Sequence, residues 1–247
     1  SDTKRENRKQ LVGLRPKDPK VVLEEGAQIV LDPKHAIPMP MVGHVTSSYY
    51  SPILDSGFAL AVVKGGHQRL GETVYLPMAD GQTFEAEHSG RLQLRERAML
   101  GHLILRGGAI VLDEAVRDVL GLNLPGQPQT LVQDASGERS IQWLSPDEWL
   151  VIIPGGEEFP LETKLREHLG SAHFAISDVS GGQTLLEISG EAARELLMKT
   201  VIYDVHPSNF PVGKGVTTVF AKATTIIRRP SEDRWELVVR RSFADYC

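Results

Sequence analysis

One cysteine, Cys247, is all that the 247 residues contain. An internal disulfide is therefore excluded, as is a zinc site built on cysteines. Such usage suits a reducing compartment, and the cytoplasm is the expected location. Long apolar runs are missing too. The longest strongly apolar stretch is residues 58–63, against the ~20 residues that a membrane-spanning helix needs. The opening SDTKRENRK lacks the apolar core of a signal peptide. There is also no basic surplus. Net charge is −5, with 10 basic and 11 acidic side chains in residues 1–90 and 17 and 21 in the rest. Neither part carries the positive field of a nucleic-acid binder.

Catalytic signatures are equally scarce. No G-x-G-x-x-G follows a strand, and there is no G-x-x-x-x-G-K-[ST] loop and no H-E-x-x-H. A G-x-S-x-G elbow is missing as well. His168 and His173 are five apart, poor spacing for two metal ligands on one helix, and read as surface residues. Asp147 and Glu148 are adjacent, so on a strand they point to opposite faces rather than forming an acid/base pair. Asp178 beside Ser180-Gly181-Gly182 reads as a turn-stabilising aspartate. No metal site and no self-sufficient catalytic constellation is expected.

What is present is a globular chain, 41% apolar. Its charged start, with Lys4, Arg5, Arg8 and Lys9, reads as a solvated edge that also suits an anion. Short strands are expected at residues 11–14, 27–31, 42–48, 58–64, 72–77 and 82–87, with Ala79-Asp80-Gly81 as a hairpin turn. Without a convincing helix, these suggest a small all-β barrel or sandwich over residues 1–88. HSGR at 88–91 reads as a linker, residues 89–91 falling between the domains. From residue 92 to 247 the pattern changes to α+β. Helices are expected at 113–120, with Asp113 as cap, and at 161–169. Strands are expected at 100–105, 140–144, 148–153, 216–221, 224–228 and 235–239.

Residues 176–199, ISDVSGGQTLLEISGEAARELLMK, organise this second part. Residues 175–179 suit a strand, Ser180-Gly181-Gly182 a tight hairpin, and residues 184–188 the return strand. Ser189-Gly190 is a plausible helix start, with Glu191 and Lys199 complementing the helix dipole. The two halves of the second part each carry a strand–helix pair and a late tryptophan strand (Trp149, Trp235). This suggests a pseudo-repeat of ferredoxin-like units.

Two resemblances add to this reading. KQLVGLRP, LEEGAQIV, VGHVTSSYYSPILDSGFALAVVKGG and GETVYLPMADG resemble the C-terminal β-barrel of the glycine-cleavage aminomethyltransferase (T-protein) family, which also closes the α subunit of heterotetrameric sarcosine oxidase. LQLRERAMLGHLILRG, WLSPDEWLV, DVSGGQTLLEISG, DVHPSNFPVGKG and VVRRSFADY, in that order over residues 92–246, resemble the γ subunit of the same enzyme. The γ subunit is similar in fold to the folate-binding region of T-proteins. The resemblance implies a role as non-catalytic subunit or fragment of a tetrahydrofolate-dependent sarcosine oxidase complex. Such a complex demethylates sarcosine to glycine and hydrogen peroxide and passes the one-carbon unit to tetrahydrofolate. It implies α-, β- and δ-type partner subunits, with FAD, FMN and NAD held by the α and β subunits.

The chain departs from the pattern in three ways. T-proteins carry a GGI-x-DD segment whose aspartate assists the one-carbon chemistry, but the matching stretch here, AKATTIIRRP (221–230), has no acid. The barrel lacks the family's closing tyrosine segment, and the chain stops at Tyr246-Cys247 where the γ family continues as a helix. The alternative is a stand-alone folate-binding or aminomethyltransferase-like protein. Folate needs an apolar slot for its pterin, a carboxylate for its ring nitrogens and cations for its glutamate tail. Tyr49, Tyr50 and the basic run from Lys4 are the candidates, the tyrosines serving equally as packing residues with wet hydroxyls.

Overall fold

The structure, a computed structural model, describes residues 9–34, 37–52, 55–190 and 192–244. Lys4, Arg5, Arg8, Glu191, Tyr246 and Cys247 lie outside the described residues. The chain divides into two compact units, Ser1–Leu94 and Arg95–Cys247.

The first unit is a closed antiparallel barrel of six strands. These are β1 (Lys9–Pro16), β2 (Gln28–Val30), β3 (Met41–Ser51), β4 (Ser56–Lys64), β5 (Thr73–Pro77) and β6 (Thr83–Arg97). Their order is β1-β4-β3-β2-β5-β6, and β6 pairs back onto β1 to close the ring. Closure removes the free sheet edges that invite aggregation. Alternation puts Val12 and Leu14 of β1, Ala59, Ala61 and Val63 of β4, and Val74 and Leu76 of β5 inside. Gly43 lets two strands approach, since a Cβ there would lie 2.1 Å from Val62 O. The expected strands are all found, but the expected linker is not a break. Residues 89–91 lie within β6, which runs on to Arg97, and the compact units part at Leu94/Arg95.

Among its described residues the second unit holds two antiparallel sheets and three α-helices. Its elements are β7 (Leu100–Gly107), α1 (Ala109–Leu120), β8 (Leu131–Gln133), β9 (Ser140–Ser145), β10 (Glu148–Pro154), α2 (Glu158–Leu169), β11 (Phe174–Asp178), β12 (Gln183–Ser189), α3 (Ala193–Thr200), β13 (Lys214–Phe220), β14 (Ala223–Ser231) and β15 (Arg234–Arg240). One sheet has the order β11-β7-β10-β9-β8, and the other contains the run β12-β15-β14-β13.

Strand alternation sorts the second unit into layers. Leu103 and Leu105 of β7, Ile141 of β9 and Trp149, Val151 and Ile153 of β10 face α1 and α2, which bury Leu112, Val116, Leu161 and Leu165 against them. The opposite faces of β7 and β10 meet the other sheet. There Leu150 and Ile152 pack with Leu185 of β12 and Val238 of β15. Each such side chain contributes about 1.5–3 kcal/mol by leaving water.

Three local expectations change. Helix α1 starts at Ala109, four residues before Asp113, with Gly108 in the capping position. Asp113 instead accepts from Leu124 N–H (2.7 Å) and ties down the loop after the helix. Helix α3 starts at Ala193 without a side-chain cap, not at Ser189. Ser180-Gly181-Gly182 forms a 3₁₀ turn, yet it does not close a hairpin: β11 pairs with β7 and β12 with β15, in different sheets.

Candidate functional site

Tyr49 and Tyr50 follow each other on β3 and so point to opposite sides. Tyr49 stacks on Phe58, ring centres 5.6 Å apart. Tyr50 donates its hydroxyl to Asp55, and Lys20 Nζ donates to the same carboxylate at 2.9 Å and to the Tyr50 hydroxyl at 3.3 Å. The Tyr50 hydroxyl, then the Lys20 ammonium, hold the Asp55 carboxyl below its usual range. The hydrogen bond to Asp55, then that to Tyr50, raises Lys20. The structure therefore gathers an aromatic ring, a carboxylate and a cation around Tyr50, and it leaves Tyr49 apart from them.

The acid-free stretch 221–230 becomes β14, and its two arginines are interior. Arg228 is paired with Glu236 of β15 and donates from Nη1 to Ser140 Oγ at 3.0 Å. Both partners are only 3% exposed in their side chains. Strand register extends this pair into a row: Arg228 lies opposite Glu236, and Glu236 opposite Glu187 of β12. Two carboxylates directly opposed repel each other. Arg95 donates to Glu187 at 3.1 Å, while Arg234 lies 3.8 Å from Glu236 and Arg97 4.0 Å from it. Four guanidiniums thus neutralise two carboxylates. Arg229 points to the other side of the strand, donating to Phe210 O at 2.8 Å and covering the Trp235 ring at 5.2 Å. Neither arginine is free to act on a substrate.

His102 is the interior group that the sequence reading passed over. It is 1% exposed, on β7, facing the layer between the sheets. Burial above all, reinforced by Arg228 and Arg241, pushes its pKa down to about 4, so the ring is neutral near pH 7. Nδ1 lies 3.2 Å from Leu100 O, and Nε2 finds no hydrogen-bond partner among the described residues. Nothing in a lone histidine within an apolar-looking strand, LGHLIL, signals this burial.

The remaining candidates scatter. Asp178 accepts from Ser180 N–H (2.9 Å) and from the Ser180 hydroxyl, which hold it below the ordinary carboxylate range. That is the turn role expected of it. Asp147 sits in the β9–β10 turn with Ser145 (2.7 Å), and Glu148 begins β10. His168 reaches Asp118 at 3.6 Å, while His173 precedes β11. Among the described residues no group of three His, Cys, Asp or Glu side chains is placed to hold a metal ion. A cavity of about 400 Å³ lies between α1 and α2, lined by Leu120, Leu161, Lys164, Arg139 and Glu157. Its one carboxylate, Glu157, is held by Arg139 Nη2 at 2.8 and 3.0 Å. No helix of the described residues is long and apolar enough to cross a membrane.

Comparison with known proteins matches both units. Residues 9–92 fit the glycine cleavage T-protein C-terminal barrel domain, and residues 107–247 fit the sarcosine oxidase, gamma subunit family. Sarcosine oxidase subunit gamma of Corynebacterium sp. (strain P-1) is 34% identical over 174 residues, covering 68% of this chain and 80% of that protein. Subunit alpha from the same strain is 44% identical over 79 residues, which are 31% of this chain but only 8% of its own length. A chain of the heterotetrameric sarcosine oxidase from Corynebacterium sp. U-96, solved with pyrrole 2-carboxylate, superposes with a TM-score of 0.58 at 28% identity, covering 64% of this chain and 81% of that one. The chain belongs to the sarcosine oxidase gamma subunit family.

Proposed function

We propose that this chain is a non-catalytic subunit of a tetrahydrofolate-dependent sarcosine oxidase complex. Its role is to cover the flavin-bearing subunits and help shape the route of the one-carbon unit to folate. The observation that carries this reading is the likeness to the gamma subunits across 80% of the length of one of them. The interior supports it: β14 offers two arginines, each committed to a partner, where a T-protein offers an acid. The stand-alone transferase is not favoured for the same reason.

The reading extends to α-, β- and δ-type partners, with FAD, FMN and NAD on the α and β subunits, and to a cytoplasmic location. Residues 1–88 would serve as the α-type barrel and residues 92–247 as the γ-type domain. Within the latter, β7-α1-β9-β10-α2-β11 with the spatial order β11-β7-β10-β9 supports a ferredoxin-like unit. The following β12-α3-β13-β14-β15 has a single helix and departs from that pattern. Any folate contact by this chain is proposed to fall at Tyr50, supported by the neighbouring Asp55 and Lys20, with Tyr49 as the second candidate.

The test is to co-express the chain with the other subunits encoded beside it and measure native mass and sarcosine-dependent oxygen uptake. The expected result is one assembly that contains the chain and consumes oxygen with sarcosine. An active oxidase that forms without ever incorporating the chain overturns the reading.

A further inference from the structure

Glycine loses more backbone freedom on folding than any other residue, so a glycine in a folded chain calls for a reason. Most glycines of the second unit have one. A Cβ on Gly155 would lie 1.8 Å from Met99 O and one on Gly215 1.9 Å from Gln142 Oε1, while Gly121, Gly156 and Gly170 have positive φ. Gly108 before α1, Gly126, Gly181 and Gly182 have neither reason, and the last two stand side by side. Their φ lies outside the left-handed range, and a Cβ added to either meets nothing within 4 Å. Both are exposed, and the turn they form closes no hairpin. The fold of this chain would accept a side chain at both positions.

Their surroundings say what would not. Gln183, the next residue, lies opposite Arg240 in the strand register, and the turn packs against the 3₁₀ turn Arg241–Phe243. Arg240 and Arg241 are exposed, and no carboxylate among the described residues pairs with either. Phe243 is 43% exposed beside them. Bare backbone, two exposed arginines that no described carboxylate pairs with, and a half-exposed phenyl ring therefore lie next to one another along the chain fold. Glycine marks places where another backbone comes close. Arginine and aromatic side chains are enriched where proteins meet, and an unpaired guanidinium is a ready fork for a carboxylate.

We infer that this surface docks an acidic segment of a partner subunit, its main chain against Gly181-Gly182 and its carboxylates on Arg240 and Arg241. The inference rests on the subunit reading above and names the face by which the chain joins its complex.

The test uses the tagged full chain co-expressed with the other subunits. Three forms are compared: wild type, Gly181→Ala/Gly182→Ala, and Arg240→Gln/Arg241→Gln. Both variants are expected to keep the thermal midpoint of the isolated wild-type chain near neutral pH, because a Cβ on either glycine meets nothing within 4 Å and neither arginine makes a side-chain hydrogen bond or ion pair among the described residues. Both are expected to hold the partner subunits about tenfold or more weakly, and the arginine variant to lose most of the salt dependence of association. If wild type assembles and both variants assemble equally well, the docking surface is wrong and the subunit reading stands. If wild type captures no partner subunit, the subunit reading fails and takes the docking surface with it. Should one variant unfold, the other decides.

Discussion

Arg228 and Glu236 show what a single residue does in this chain. Both are buried, and each is the other's main compensation for leaving water. Removing Glu236 strands the Arg228 charge, and removing Arg228 leaves Glu236 only the more distant Arg234 and Arg97, at a cost of up to about 3–5 kcal/mol. Arg228→Met is therefore expected to lower stability by up to that amount in urea unfolding, and Glu236→Leu likewise. The double variant, which strands neither charge, is expected to be more stable than either single one; a double loss equal to the sum of the singles contradicts the pairing. His102 sets a pH dependence. Its pKa is pushed down to about 4, against 6.5 when the chain is unfolded. Between those values the unfolded chain takes up a proton that the folded chain refuses. Stability is thus complete above about pH 6.5 and falls as pH drops towards 4, by about 3 kcal/mol in all. The hydrogen bond to Leu100 O opposes the fall, Arg228 and Arg241 reinforce it, and Asp178 opposes it more weakly. In His102→Gln this part of the slope is expected to vanish from urea melts taken between pH 4 and 7.

At the scale of elements, packing at glycines decides which strands can meet. Gly155→Ala would drive a Cβ to 1.8 Å from the Met99 carbonyl, where β10 ends against the start of β7. Backbone cannot swing aside as a long side chain can. The variant is expected to lose about 1–3 kcal/mol, read as a lower thermal midpoint, whereas Gly181→Ala leaves it unchanged. Nearly every strand was legible from its β-branched, alternating residues, because that pattern is a local property. What the pattern could not carry was partnership. Ser180-Gly181-Gly182 looks like a hairpin turn, yet its two strands separate into different sheets, since β11 finds β7 and β12 finds β15 through contacts distant in sequence. The same holds for HSGR, whose polar, small residues read as a linker while β1 pairs with Ser89 and His88 and keeps β6 extended. Asp113 looked like a cap because its long-range bond to Leu124 is invisible locally. Tyr50 is a candidate on its sequence alone, whereas Asp55 and Lys20 come beside it only in the folded chain.

At the scale of the whole molecule, the end of β6 belongs with the second unit. Arg95 donates to Glu187, and Glu96 accepts from the Thr184 hydroxyl at 2.8 Å. A chain covering residues 98–247 is expected to be measurably less stable than one covering residues 89–247, which keeps those contacts. Equal midpoints in thermal melts contradict that assignment. The proposed function makes the chain a subunit of a flavin-bearing assembly. The measurement that tests this most directly is the absorbance spectrum of whatever co-purifies with the tagged chain when it is expressed beside its neighbouring genes. The account predicts a yellow complex whose flavin bands bleach when sarcosine is added without oxygen. A colourless chain, eluting alone while an active oxidase elutes elsewhere, contradicts it.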